Sequence, residues 1–137
     1  MSARSRARKR VLDILYEAEM RGVPSFEVLS RTTEAATDPL NEYVATLING
    51  INLKSSVVDE TIETYSQEWS LDRMPMVDRE LARIGVFEIL FQDEVPDSVV
   101  ISEIVDLASA ISTDDSPVFL NGLLGKISSI KHRISID

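Results

Sequence analysis

Apolar residues recur at helical spacing along the whole of this 137-residue chain, and no stretch alternates apolar and polar with the two-residue period of a half-buried strand. That pattern confines the chain to an all-α fold. A first helix is expected from about Ala3 to Arg21, stopped by Gly22-Val23-Pro24. A short second helix starts at Ser25 with Phe26 and Leu29 inside. Thr37-Asp38-Pro39 reads as a cap followed by proline and starts a third helix, marked by Leu40, Tyr43, Val44, Leu47, Ile48 and Ile51. The fourth carries Val58, Ile62, Tyr65 and Trp69 and ends near Leu71-Asp72-Arg73; the fifth opens at Pro75, with Val77, Leu81, Ile84 and Phe91 on one stripe.

Glu88 falls on that same stripe, and a buried carboxylate of this kind reads as a structural residue bonded to an arginine or a helix end. Ser98 caps a sixth helix, and Asp114-Asp115-Ser116-Pro117 launches a seventh through Phe119, Leu120, Leu123, Leu124, Ile127 and Ile130. Within it Asn121-Gly122, normally a turn signal, suggests close backbone packing against another element. The expectation is one compact domain of about seven helices over residues 1–137, with no linker, repeat or low-complexity segment.

The residue inventory restricts chemistry further. Cysteine is absent and His132 is the sole histidine, so disulfides, thiol nucleophiles, zinc clusters and histidine-based triads have nothing to build on. The five glycines are scattered, with no phosphate-cradling loop. Asp59-Glu60 reads as solvated helix surface, His132 as exposed, and Asp114 and Asp115 as serving a helix start. No catalytic residue, metal site or cofactor is expected, and no apolar run approaches the roughly 18 residues of a membrane span.

Charge is the informative quantity. The whole chain nets −9, but Arg4, Arg6, Arg8, Lys9 and Arg10 place five cations and no acid in the first ten residues, so the remaining 127 net −14. On a helix, Arg4 and Arg8 lie near the edge of the apolar stripe, whereas Arg6, Lys9 and Arg10 point away from it. Cations at a helix N-terminus cost about 0.3–1 kcal/mol each at low salt, so stability alone would not select them. A solubilising tail or a transit-like leader are the bland alternatives. The stripe of Val11, Ile14, Leu15 and Ala18 runs directly on from the basic segment, which favours an arm of about residues 1–10 that binds a polyanion.

Three ordered blocks then resemble the NusB (N-utilisation substance B) family of bacterial transcription antitermination factors. Arg6-Ala7-Arg8-Lys9-Arg10 running into Ile14-Leu15-Tyr16-Glu17 is similar to the family's arginine-rich motif and its Leu-Tyr step. Val77-Asp78-Arg79-Glu80-Leu81-Ala82-Arg83-Ile84-Gly85-Val86-Phe87-Glu88-Ile89-Leu90 resembles its Asp-Arg, Leu-Arg and aromatic-Glu-Leu pattern. Val95-Pro96, Ile101 to Ala108, and Asp115-Ser116-Pro117-Val118-Phe119-Leu120-Asn121-Gly122-Leu123-Leu124 resemble the region ending in the family's Phe-Val-Asn-Gly signature. Residues 22–74 match in helical spacing only.

The resemblance implies a seven-helix, non-catalytic, cytoplasmic RNA-binding protein. It would pair with NusE, a ribosomal small-subunit protein, on the single-stranded boxA element of ribosomal RNA leaders and phage messages, and join elongating RNA polymerase to suppress termination. By position it assigns RNA contact to Arg4, Arg6, Arg8, Lys9, Arg10, Tyr16, Asp115 and Phe119, and partner contact to Asp78, Arg79 and Arg83. Tyr16 and Phe119 also fall at or beside core stripes, so packing competes with stacking for both. Some family members self-associate through the RNA face, which admits a homodimer. Ser109, Val118 and Gly125 depart from residues common in the family and thin the positive charge near Phe119.

Two rivals stand beside this reading: an RNA-targeting helical domain of the kind fused to ribosomal RNA methyltransferases, and a purely structural interaction module. A surplus of acid outside the arm suits a basic protein partner. Five contacts to single-stranded RNA would give a salt slope of about −3.5, a loss of about a hundredfold between 50 and 200 mM salt.

Overall fold

The computed structural model describes residues 2–136, and among these it contains seven α-helices, two 3₁₀ turns and no strand. The helices are α1 (Ala3–Arg21), α2 (Ser25–Ala35), α3 (Glu42–Leu53), α4 (Ser55–Tyr65), α5 (Met76–Phe91), α6 (Asp97–Ile111) and α7 (Ser116–Ile130); the 3₁₀ turns are Leu71–Arg73 and Lys131–Arg133. The described residues form two compact units, one running to Leu53 and the other from Lys54. No described helix is long and apolar enough to cross a membrane.

In the first unit α1 packs on both α2 and α3. Its helix begins where the Ser2 side chain accepts from the Ser5 amide, and it ends at Gly22, whose φ of 66° is left-handed backbone that glycine adopts without a Cβ penalty. Val11, Ile14, Leu15 and Ala18 are buried with Val28, Val44, Leu47, Ile48 and Ile51. Two expectations fail here. Phe26 is 61% exposed, and α2 instead buries Ser25 and Val28, because Ser25 Oγ donates to Asn52 Oδ1 at 3.0 Å and so turns the helix. Residues 37–41 remain irregular, and α3 starts later, where Asn41 Oδ1 accepts from the Tyr43 amide at 2.8 Å. A nearer asparagine cap wins over the Thr-Asp-Pro signal.

In the second unit α5 is buried almost all round, from Leu81 to Leu90, and packs on α4, α6 and α7. Glu88 is fully buried within it, as its stripe position implied. Helix α4 stops at Tyr65, short of Trp69. The chain from there to the 3₁₀ turn is tied by a Ser66 hydroxyl donating to the Trp69 carbonyl and by the Leu71 amide donating to Glu63 Oε1 at 2.7 Å. Helix α6 has no side-chain cap from Ser98. Asp97, its first residue, accepts from Ser128 Oγ at 2.7 Å and Lys131 Nζ at 3.0 Å, fastening α6 to the end of α7.

The close approach expected at Gly122 occurs at Gly85 instead. A Cβ on Gly85 would lie 2.8 Å from Leu124 Cδ1, whereas one on Gly122 would meet nothing within 4 Å. Gly85 is thus where α5 and α7 come together. Gly122 lies on the outer side of α7.

Candidate nucleic-acid interface

The five cations of the arm are held in the first two to three turns of α1, where helical geometry sorts them into two sets. Arg4 and Arg8 turn towards α3. Their guanidinium carbons lie 4.9 and 5.8 Å from the centroid of the Tyr43 ring, and Arg8 is only 1% exposed. Arg6, Lys9 and Arg10 turn outwards. Lys9 Nζ bonds both oxygens of Asp13 at 2.8 and 3.0 Å, an exposed pair one turn along. Arg6 and Arg10, also one turn apart, are exposed and line a groove of about 510 Å³ floored by Ala3, Ala7 and Val44 and walled by the 35–41 segment. Tyr16 is 39% exposed on the Lys9–Asp13 side of α1.

The second unit carries the other predicted residues, and treats them unequally. Phe119 is half-buried, its ring centroid 5.0 Å from that of Trp69 with the planes at 58°. Both rings line a groove of about 680 Å³ together with Tyr65, Asp115, Gly122 and Lys126. Asp115 stands at the N-cap position of α7 but makes no capping hydrogen bond, so its carboxylate is exposed rather than spent on the helix start. Ser116 does that work, accepting from the Thr113 amide at 3.2 Å. Trp69 was read from the sequence as helix core; only its place in a loop beside Phe119 marks it for function.

Asp78, Arg79 and Arg83 are engaged inside the unit. Asp78 is fully buried, and its carboxylate accepts from the Ser112 hydroxyl and from Ser116 Oγ at 2.7 Å, joining the start of α5 to the α6–α7 turn. Arg79 donates through Nε to the Leu71 carbonyl at 2.8 Å and through Nη2 to the Met74 carbonyl at 3.3 Å, holding the 3₁₀ turn. Arg83 grips Asp59 with two hydrogen bonds of 2.9 and 3.2 Å and Glu80 with two of 3.1 and 3.0 Å. Burial opposes the Arg83 charge, but the Asp59 hydrogen bond and the attraction of Glu80 and Asp59 outweigh it and hold its pKa above the usual arginine value.

Nothing in this arrangement positions a nucleophile against a base. It offers instead a cationic face on α1 and an aromatic groove beside α7, the two surface chemistries that polyanions and unpaired bases use. The NusB family model matches residues 5–129. The chain belongs to the NusB family. It is 49% identical over 131 residues to the transcription antitermination protein NusB of Pseudarthrobacter chlorophenolicus, covering 96% of each chain. Such proteins are named for a role in transcription and not for a reaction. Among solved structures, NusB of T. maritima superposes with a TM-score of 0.84 at 30% identity, covering 94% of this chain and 92% of that one. A complex of the antitermination factors NusB and NusE with dsRNA contains a chain that superposes with a TM-score of 0.82 at 27% identity, covering 94% of this chain and 98% of that one. Family membership accounts for the all-α architecture and for a basic arm on an acidic body.

Proposed function

We propose that this chain is a non-catalytic, cytoplasmic RNA-binding transcription antitermination factor. In this reading it joins NusE on the single-stranded boxA element of ribosomal RNA leader transcripts and so helps RNA polymerase past termination signals. The observation that carries the reading is the pair Arg6 and Arg10, exposed one turn apart along the groove on α1. Their spacing places two guanidinium groups on one side of the helix, where each can take successive phosphates of a strand. Arg4 at the helix start and Lys9 beside Asp13 extend the cationic face. Arg8 supports it from within, against Tyr43.

With Arg8 inside, four contacts remain, and the expected salt slope falls to about −3. The acidic body, −14 outside the first ten residues, favours a basic ribosomal protein as partner. Asp78, Arg79 and Arg83 contribute to partner binding by fixing the surface of the second unit, and Tyr16 by its exposed ring. The two units serve one RNA-binding function, since the family match spans both.

The test is titration of a boxA RNA, with and without NusE, against the wild-type protein and an Arg6→Ala, Arg10→Ala variant. Tighter binding of boxA than of a scrambled RNA, strengthened by NusE and lost in the variant, is expected. Equal affinity of the two proteins for RNA, or no preference for boxA, removes the RNA reading. If NusE neither binds nor alters the affinity, the partner assignment goes.

A further inference from the structure

The groove on the second unit holds features that the cationic arm does not explain. Trp69, the chain's sole tryptophan, sits in the irregular segment between α4 and the 3₁₀ turn and tilts against Phe119 at 58°. That segment is not loose: the Ser66 hydroxyl donates to the Trp69 carbonyl, and Glu63 holds the Leu71 amide at 2.7 Å. Neither Trp69 nor Phe119 is buried, although apolar rings of this size ordinarily are. Beside them Val118 is 79% exposed, and Gly122 stands in mid-helix with nothing within 4 Å of where its Cβ would be. Glycine weakens a helix relative to alanine, and internal packing gives no reason for it at this position. The floor of the groove is therefore open to something from outside.

We propose that Trp69 and Phe119 form a stacking platform for one unpaired base of the RNA, with Lys126 beside the flanking phosphate. The proposal rests on the RNA-binding reading above. The charges select the occupant. Asp115 and Glu68 also line the groove and repel a run of phosphates, so the strand's backbone stays outside and only an uncharged base enters between carboxylates and rings. Lys126, on the α7 turn after Gly122, is placed for the phosphate of that one nucleotide. Stacking uses the π-face common to all bases, so the platform tolerates sequence and favours the larger purines. Its contribution differs in kind from that of the arm, because it is nearly independent of salt.

Because Trp69 is the only tryptophan, its fluorescence reports the platform directly. Titration of the full chain with a boxA RNA is expected to quench it saturably, in parallel with binding followed by gel shift. Replacing nucleotides one at a time by abasic ones, which keeps every phosphate, is expected to reveal one position that abolishes quenching and weakens binding by roughly 5- to 150-fold. Phe119→Ala should lose the same increment. Trp69→Phe, which retains a stacking ring, should bind as the wild type does and show by circular dichroism that the loop tolerates change. Lys126→Ala should leave quenching intact and reduce the salt slope by about 0.7.

If RNA binds through Arg6 and Arg10 while Trp69 stays unquenched and no abasic position matters, the platform is overturned and the RNA-binding reading stands. If NusE alone quenches Trp69 and RNA does not, the groove belongs to the protein partner and the platform is again overturned. If no RNA binds under any condition, both proposals fall together.

Discussion

Arg6 and Arg10 on α1, and Arg79 and Arg83 on α5, are two pairs of the same side chain at the same one-turn spacing, yet they meet opposite surroundings. The α1 pair lies in a stretch with no acid in its first ten residues, and the nearest one, Asp13, is bonded to Lys9. The α5 pair lies in the acidic body. Glu80 sits three residues before Arg83 on its own helix, Asp59 reaches across from α4, and the carbonyls of the 3₁₀ turn meet Arg79. An arginine's donors go to whatever acceptors the fold brings near, and the surplus is what a ligand can use. The first pair is thus suited to an external anion, and the second to holding a surface in shape.

The strongest challenge to this contrast is Arg83→Ala. Loss of two half-buried ion pairs is expected to cost about 2 kcal/mol of stability, read from chemical unfolding, with RNA affinity unchanged well below the melting point. An unaltered stability with weaker RNA binding would reverse the assignment. The mirror-image experiment is Arg6→Ala with Arg10→Ala. About 0.7 of salt slope per lost contact corresponds to roughly fivefold each at 0.1 M salt, so affinity should drop about 25-fold. The fold should hold or gain slightly, since cations near a helix N-terminus oppose its dipole.

Lys9→Ala sharpens the same point more gently. Its ammonium is shared with Asp13, so the loss of RNA affinity should be smaller than for Arg10→Ala, and the helix should lose only about 0.3–0.5 kcal/mol. A loss as large as that of Arg10 would show that RNA displaces Asp13. The smallest effect is in pH. The folded-state pKa of Arg83 is raised, so its stabilising contribution is complete below the unfolded value and is lost only at extreme alkalinity. The destabilisation caused by Arg83→Ala should therefore be the same at pH 7 and pH 9. A decline across that interval would mean that its charge is not what stabilises.

The α1 pair was legible in the sequence, and the α5 pair only half so. Helical phase separates Arg6, Lys9 and Arg10 from Arg4 and Arg8, and the structure follows it, down to Arg8 turning inward. What phase does not supply is the acceptor. Asp59 lies 24 residues from Arg83, and Ser112 and Ser116 lie 34 and 38 residues from Asp78. Only folding brings such pairs together. Local signals failed where a competing contact was stronger: Asn41 displaced Thr37-Asp38 as the cap of α3, and Asp97 displaced Ser98 at α6. The groove aromatic Trp69 was hidden because its spacing from Tyr65 mimics one more turn of α4.

The sequence by itself determined the helical class, the position of most helices, the fully buried Glu88 and the separation of a basic arm from an acidic body. All of these follow from periodicity and charge counts, which are properties of neighbours along the chain. Tertiary structure alone decided which arginines are engaged internally, that the close helix approach falls at Gly85, and that Trp69 and Phe119 face one groove. Those outcomes depend on which distant acceptors and rings arrive at the same place, and chain order carries no record of that.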